Sequence, residues 1–213
     1  MADNEAAPAT EPDPTRSGVG TDAVPDSVRA AARVSPDQWI GLVDPTWRGD
    51  GPPPGWALIG EWWSDGGGEP TEFRENGEYR PSPLAHAWPE PTDPVDAAVQ
   101  LSATGYGPPQ DVLRALAAGP LAVALDGNGA IDVVELPDGR PAVRVFSSAA
   151  QVTAAGDPPY GAIRAAELAG LLPPGHWVLL NHGGPVAMRL SPDDLRAARS
   201  EEQPRPAGPA GGR

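Results

Sequence analysis

Apolar positions along this chain follow two rhythms, and the change falls near its middle. Between Trp39 and Arg74 they come in short runs: Trp39-Ile-Gly-Leu-Val43, Trp56-Ala-Leu-Ile-Gly-Glu-Trp-Trp63 and Thr71-Glu-Phe-Arg74. Short runs rich in aromatic and β-branched residues, bounded by turn formers, predict three strands. Ser64-Asp-Gly-Gly-Gly68 predicts a hairpin between the second and third. Residues 48–55, Arg-Gly-Asp-Gly-Pro-Pro-Pro-Gly, can only be a loop. Side chains alternate across a strand, so Trp62 and Trp63 point to opposite sheet faces. One is expected in the core, and the other exposed or covered by the segment that follows. That segment, Glu75 to Pro94, has prolines at 81, 83, 89, 91 and 94 and leaves little room for regular structure. It reads as a strap across the sheet, held by Tyr79, Trp88 and the apolar stem of Arg80. Upstream, Pro25-Asp26-Ser27 opens a short helix over Val28 to Arg33, with Asp26 or Ser27 as its cap.

After the strap the spacing turns helical. Asp93-Pro94-Val95-Asp96 supplies an N-cap, a proline in the first turn and an acid near the positive helix end. Val95, Ala98, Val99 and Ser102 share one face, with Leu101 beside it, and Gly105 is the stop. A second helix opens at Pro108-Pro109, turns Val112, Leu113, Leu116 and Ala117 inward, and ends at Gly119. Leu121–Leu125, Ile131–Leu136 and Pro141–Phe146 then predict a three-stranded meander, with a tight turn at Asp126-Gly-Asn-Gly129. Ser147-Ser148 caps a short helix through Val152, Ala162-Ile163 extends a strand, and Ala165 to Leu172 is a helix. His176 to Leu180 is a buried strand, Asn181-His-Gly-Gly-Pro185 turns the chain, and Val186 to Leu190 returns. Ser191-Pro-Asp193 opens a last helix to about Arg199.

This pattern predicts an α+β protein in two packed parts. The expected divisions are a disordered tail over 1–24, a Trp- and Pro-rich α+β region over 25–119, a mixed-sheet α+β module over 120–199, and a second disordered tail over 200–213.

Composition narrows the function. The 213 residues include no cysteine, which excludes disulfides, thiolate metal sites and a cysteine nucleophile. The formal net charge of −14 argues against nucleic acid and anionic membrane as partners. No apolar run reaches the ~18 residues that span a bilayer. The acidic start, Met-Ala-Asp-Asn-Glu, is unlike a secretory signal, so a cytoplasmic location is expected. All 15 basic residues are Arg, which together with the Ala, Gly and Pro bias points to a GC-rich genome of the actinobacterial kind.

The charge is uneven. Residues 35–106 carry twelve acids against three Arg, a net of −9, and six of the seven Trp. That concentration reads either as a solvated acidic face over a Trp-filled core or as a recognition surface for a basic partner.

Candidate chemistry is sparse. His86, His176 and His182 lack the spacing of metal ligands, so no metal or cofactor is expected. Neither glycine run is followed by a Lys and a helix, as a phosphate cradle requires. Ser82 lies between prolines without a nucleophile elbow, which leaves a triad with His86 unsupported. The acid pairs Asp93/Asp96 and Asp193/Asp194 have a simpler task in starting helices.

Two sets of motifs resemble known families. Pro141-Ala-Val-Arg-Val-Phe-Ser-Ser, then the Leu-Leu pair before Pro-Pro-Gly, then Leu179-Leu-Asn-His-Gly-Gly-Pro185, resemble the SseB-like domain, a small α+β module with a mixed sheet. In that family's turn a Pro stands where this chain has His182, and a Thr where it has Ser147. Leu42-Val-Asp-Pro-Thr-Trp47, Trp56-Ala-Leu-Ile-Gly60, Glu75-Asn-Gly-Glu-Tyr-Arg-Pro-Ser-Pro83, Trp88-Pro-Glu-Pro-Thr-Asp-Pro94 and Ala103-Thr-Gly-Tyr-Gly107 resemble actinobacterial type VII secretion system-associated proteins, whose C-terminal half is SseB-like. The resemblance covers about residues 28–199. It implies a cytoplasmic, non-enzymatic accessory that acts through protein contacts on a secretion substrate or component. The surface expected to make them is Trp62, Trp63, Glu75, Glu78, Tyr79 and Arg80. The alternative is an immunity or inhibitor protein, whose acidity would match a basic toxin.

Overall fold

In the computed structural model the described residues are 23–202. They divide into two compact units, one over residues up to 45 and from 49 to 87, the other over 46–48 and from 88 onward. The expected tails over 1–24 and 200–213 lie outside the described residues except at their inner ends.

In the first unit, helix α1 (Asp26–Val34) is followed by strands β1 (Gln38–Val43), β2 (Leu58–Ser64) and β3 (Pro70–Glu75). The strands form an antiparallel sheet in the order β1-β2-β3. The helix starts earlier than the expected Val28, with Pro25 at its N-cap and no side-chain cap; Asp26 instead places its charge in the first turn. Trp56 belongs to a 3-10 turn, Gly55–Ala57, rather than to β2. Ile40 faces Trp62 across the sheet and Trp62 faces Phe73. Gly60 lies beside that stack because nothing larger fits: a Cβ there would meet the Phe73 ring at 2.4 Å. Ser64, fully buried, donates to the Ala32 carbonyl at 3.1 Å and ties α1 to the sheet.

The strap begins as expected. Asn76 donates to the Gly55 and Leu58 carbonyls at 2.6 and 2.7 Å, which fastens the end of β3 to the 3-10 turn. Tyr79 donates its hydroxyl to the buried Asp44 carboxylate at 2.6 Å, and the Arg80 N–H reaches the Trp56 carbonyl. Trp88 falls in the other unit, so the strap of the first unit ends at Ala87.

The second unit contains helices α2 (Pro94–Thr104) and α3 (Pro109–Ala118), strands β4 (Pro120–Ala124), β5 (Val133–Glu135) and β6 (Pro141–Phe146), and helix α4 (Ala149–Ala154). Strand β7 (Tyr160–Arg164), helix α5 (Ala165–Leu171), strands β8 (Trp177–Leu180) and β9 (Met188–Leu190), and helix α6 (Pro192–Glu202) complete it. The last helix therefore continues past Arg199, into the segment expected to be a tail. The mixed sheet runs β7-β4-β6-β8-β9, with β6 and β8 parallel and β5 also on β6.

Two expectations change here. The meander does not form in sequence order: β4 and β5 pair with successive parts of β6, Val123 facing Val145 and Val133 facing Val143. The chain loops out through Asp126–Ala130 between them, where Asp126 accepts the Asn128 and Ala130 N–H groups. The boundary also moves from 119/120 to 87/88, because α2 and α3 complete the core of the second sheet. Val95, Val99, Val112 and Leu116 pack with Leu121, Val123, Val143, Val145, Leu168, Val178 and Leu195. The alternate residues Ala122, Ala124 and Phe146 pack with Val152 of α4.

A buried polar node closes this unit. Asp93 caps α2 by accepting from the Val95 and Asp96 N–H groups at 2.8 and 3.0 Å. Its other oxygen accepts the Ser147 hydroxyl at 2.7 Å and the Thr92 hydroxyl at 3.0 Å. Asn181, fully buried, donates to Ser147 Oγ at 2.8 Å and accepts the Ser147 N–H at 2.9 Å. Burial works against the Asp93 charge, but the Asp96 N–H and the Ser147, Ser148 and Thr92 hydroxyls outweigh it and hold the carboxyl below its usual range. Replacing Asp93 with Ala removes a cap and orphans a half-buried hydroxyl. Urea unfolding should show a loss of about 2–4 kcal/mol, with Asp93→Asn retaining part of it.

Candidate functional site

Of the six residues expected to form a surface, Trp62 is buried and the other five are exposed or half-buried. Trp62 is only 9 % exposed, and its ring lies 5.1 Å from Phe73. It is a core residue, a correction that follows from its place in the Ile40–Trp62–Phe73 row. Tyr79 is half-buried against Asp44 and serves the strap. Arg80 is exposed, with its guanidinium 5.8 Å from the centre of the Trp56 ring. Glu75 and Glu78 are exposed at the end of β3 and in the turn after it. Glu75 lines a cleft of about 290 Å³ with Glu61, Arg74 and Asn76.

Trp63 occupies the other face, as alternation requires. Its Cα partner across β1 is Trp39, and across β3 it is Glu72. The two indoles meet edge to face, centroids 5.5 Å apart at 64°, and both are half-buried. The next row on this face is Gly41, Glu61 and Arg74. At Gly41 the Leu58 side chain comes close, since a Cβ there would meet Leu58 Cδ2 at 3.3 Å, and Arg74 reaches over β2 to Trp39. Its guanidinium lies 4.0 Å above the Trp39 ring, and Nη2 sits 2.6 Å from Glu61 Oε2. Arg74 is more than half exposed, so the ion pair contributes about 0–1 kcal/mol and the ring contact about 0.5–1 kcal/mol.

Trp39 and Trp63 thus form a partly exposed aromatic pair on this face of the sheet, with Glu61, Glu72 and Arg74 in the same two rows. Trp39 and Gly41 alternate in the sequence, and the hairpin register sets Glu72 opposite Trp63, so strand periodicity carried the signal.

The histidines and acids are dispersed. Ser82 is fully buried and accepts the Ala85 N–H at 3.2 Å, while His86 is exposed. Among the described residues no group of three or more His, Asp or Glu is placed to hold a metal, and no helix is long and apolar enough to cross a membrane.

The Asn181-His-Gly-Gly-Pro185 turn packs hard against α4. A Cβ on Gly183 would meet the Ala155 nitrogen at 2.5 Å, and one on Gly184 would meet Gln151 Oε1 at 2.8 Å. Asn181 takes φ of 52°, left-handed backbone that Asn tolerates. His182 stacks on Phe146 with centroids 5.3 Å apart, and its Nδ1 is buried without a hydrogen-bond partner. Burial, aided by the nearby Arg144 and opposed by Asp132, pushes its pKa below the usual histidine value.

Two outcomes follow. Trp62→Ala should cost about 3–5 kcal/mol in urea unfolding, and Trp63→Ala less than about 2 kcal/mol, since only the first empties a core. A histidine whose folded pKa is depressed binds its proton more readily when unfolded, so stability is full above the unfolded pKa and declines as pH falls below it. The urea midpoint should drop between pH 7.5 and 5.5, and His182→Phe should drop less over the same interval.

No curated protein and no solved structure matches the chain. A family model does match part of it, and the matched span begins in the first turn of α2 rather than at β4, in agreement with the shared core of α2, α3 and the mixed sheet. Residues 95–197, within the α+β second unit, match the SseB protein N-terminal domain.

Proposed function

We propose that this chain is a non-enzymatic, cytoplasmic accessory protein of type VII secretion that binds a partner protein through the Trp39–Trp63 face of its first unit. One observation carries the reading: two indoles lie edge to face on the sheet side away from Trp62, partly exposed and with carboxylates in the same rows. Trp and Arg are the residues that most often dominate protein contacts. The charge of this unit supports a basic partner. Residues 23–45 contribute three acids and two Arg, and residues 49–87 seven acids and two Arg, a net of −6 that would steer a cationic surface inward. The link to type VII secretion rests on the resemblance of the Leu42–Trp47, Trp56–Gly60 and Glu75–Pro83 motifs, together with the SseB match over residues 95–197.

Affinity capture with the tagged full chain in its native host tests this reading. Wild type should recover a secretion substrate or component, and Trp63→Ala should recover at least about tenfold less, the loss of one hot-spot indole. Equal recovery by both proteins would contradict the reading.

A further inference from the structure

We infer that the Trp39–Trp63 face is an arginine-binding site, and that Arg74 is its built-in occupant, holding the place an arginine of a basic partner segment takes on binding. The inference rests on the partner-binding reading above and names the chemistry of the contact.

The site has the parts such recognition needs. Trp39 offers the face of its ring to the Arg74 guanidinium, and Trp63 meets Trp39 in an edge-to-face contact. Gly41, beside which the Leu58 side chain lies, carries no side chain of its own, and Glu61 supplies the carboxylate. Exposed Glu72, opposite Trp63, adds a second acid on the same face. Arg74 shows that a guanidinium fits all of these at once. Its Cζ lies 4.0 Å over the Trp39 ring while Nε and Nη2 converge on Glu61 Oε2 at 2.7 and 2.6 Å. A planar guanidinium can stack on an indole and donate in its own plane to a carboxylate, whereas an ammonium is a strongly hydrated point charge.

Arg74 is also placed to leave. It reaches in from the edge strand β3, its side chain is 54 % exposed, and its contacts with Glu61 and Trp39 are of the surface type. A second arginine arriving from a partner trades one guanidinium for another, and the displaced Arg74 returns to water, where it loses little. The net charge of −6 over residues 23–45 and 49–87 draws such a segment in.

The test uses the full chain and synthetic heptapeptides of alternating Gly and Arg, or Gly and Lys, titrated by calorimetry at low salt. Arg74→Ala should bind the Arg peptide about 3- to 5-fold tighter than wild type, the worth of one exposed cation–π contact. The Arg peptide should bind more tightly than the Lys peptide. Arg80→Ala removes the same charge elsewhere in the unit and should leave affinity near wild type. In the Arg74→Ala background, Trp39→Leu and Glu61→Gln should each abolish the gain; the second is an isosteric change at a half-buried side chain. The inference is overturned if Arg74→Ala binds no tighter than wild type, if Arg80→Ala tightens binding equally, or if the gain survives both Trp39→Leu and Glu61→Gln. Any of those results alongside Trp63-dependent capture in the native host removes the arginine site and leaves the partner-binding reading standing.

Discussion

Along β2 the pleat of the backbone sends Trp62 and Trp63 to opposite faces of a three-stranded sheet, where the first meets Phe73 and the second meets Trp39. A one-residue slip would exchange them, because the side-chain period of a strand is two. The register is fixed from both sides. Gly60 admits the Phe73 ring at a distance no other residue allows, and Asn76 anchors the end of β3 to the 3-10 turn. The same alternation that buries one indole presents the other beside Trp39, Glu61 and Arg74. Core and candidate contact surface in this unit thus follow from one backbone constraint.

The second unit is organised by a buried polar node in place of an aromatic row. Asp93, Ser147 and Asn181 come from three separate stretches: the start of α2, the end of β6, and the turn after β8. Each satisfies the others, so burial of a carboxylate and an amide is compensated, and removing one member strands the rest. The SseB match, over 95–197, takes in α2 and α3, whose apolar faces pack with the sheet. After Asn181, Gly183 and Gly184 let the turn close directly on α4.

Local signals in the sequence were read well where one residue type does one job. Asp93, Pro94 and Gly105 bound α2 as expected, and Gly105 takes φ of 80°. Ser148 caps α4, and the α+β class with a mixed second sheet is what the two rhythms imply. Features set by tertiary pairing were less legible. Whether β4 and β5 flank β6 on two sides or share one edge depends on the Asp126–Ala130 loop, which reads as a hairpin turn in either arrangement. The membership of α2 and α3 is decided by which sheet offers them an apolar face, and composition groups them with the acidic half instead. The expected surface failed at Trp62 for a similar reason: adjacency in sequence placed it with Trp63, and the strand places it across the sheet.

The central claim is that Trp39 and Trp63 form the working face and Trp62 does not. Indole N–H resonances of protein labelled with ¹⁵N-tryptophan, each assigned by single substitution, report on these rings separately. On addition of the captured partner, the account predicts shifts at Trp39 and Trp63 and an unchanged Trp62. Partner binding that leaves Trp39 and Trp63 unshifted, with changes confined to other tryptophans, would contradict it.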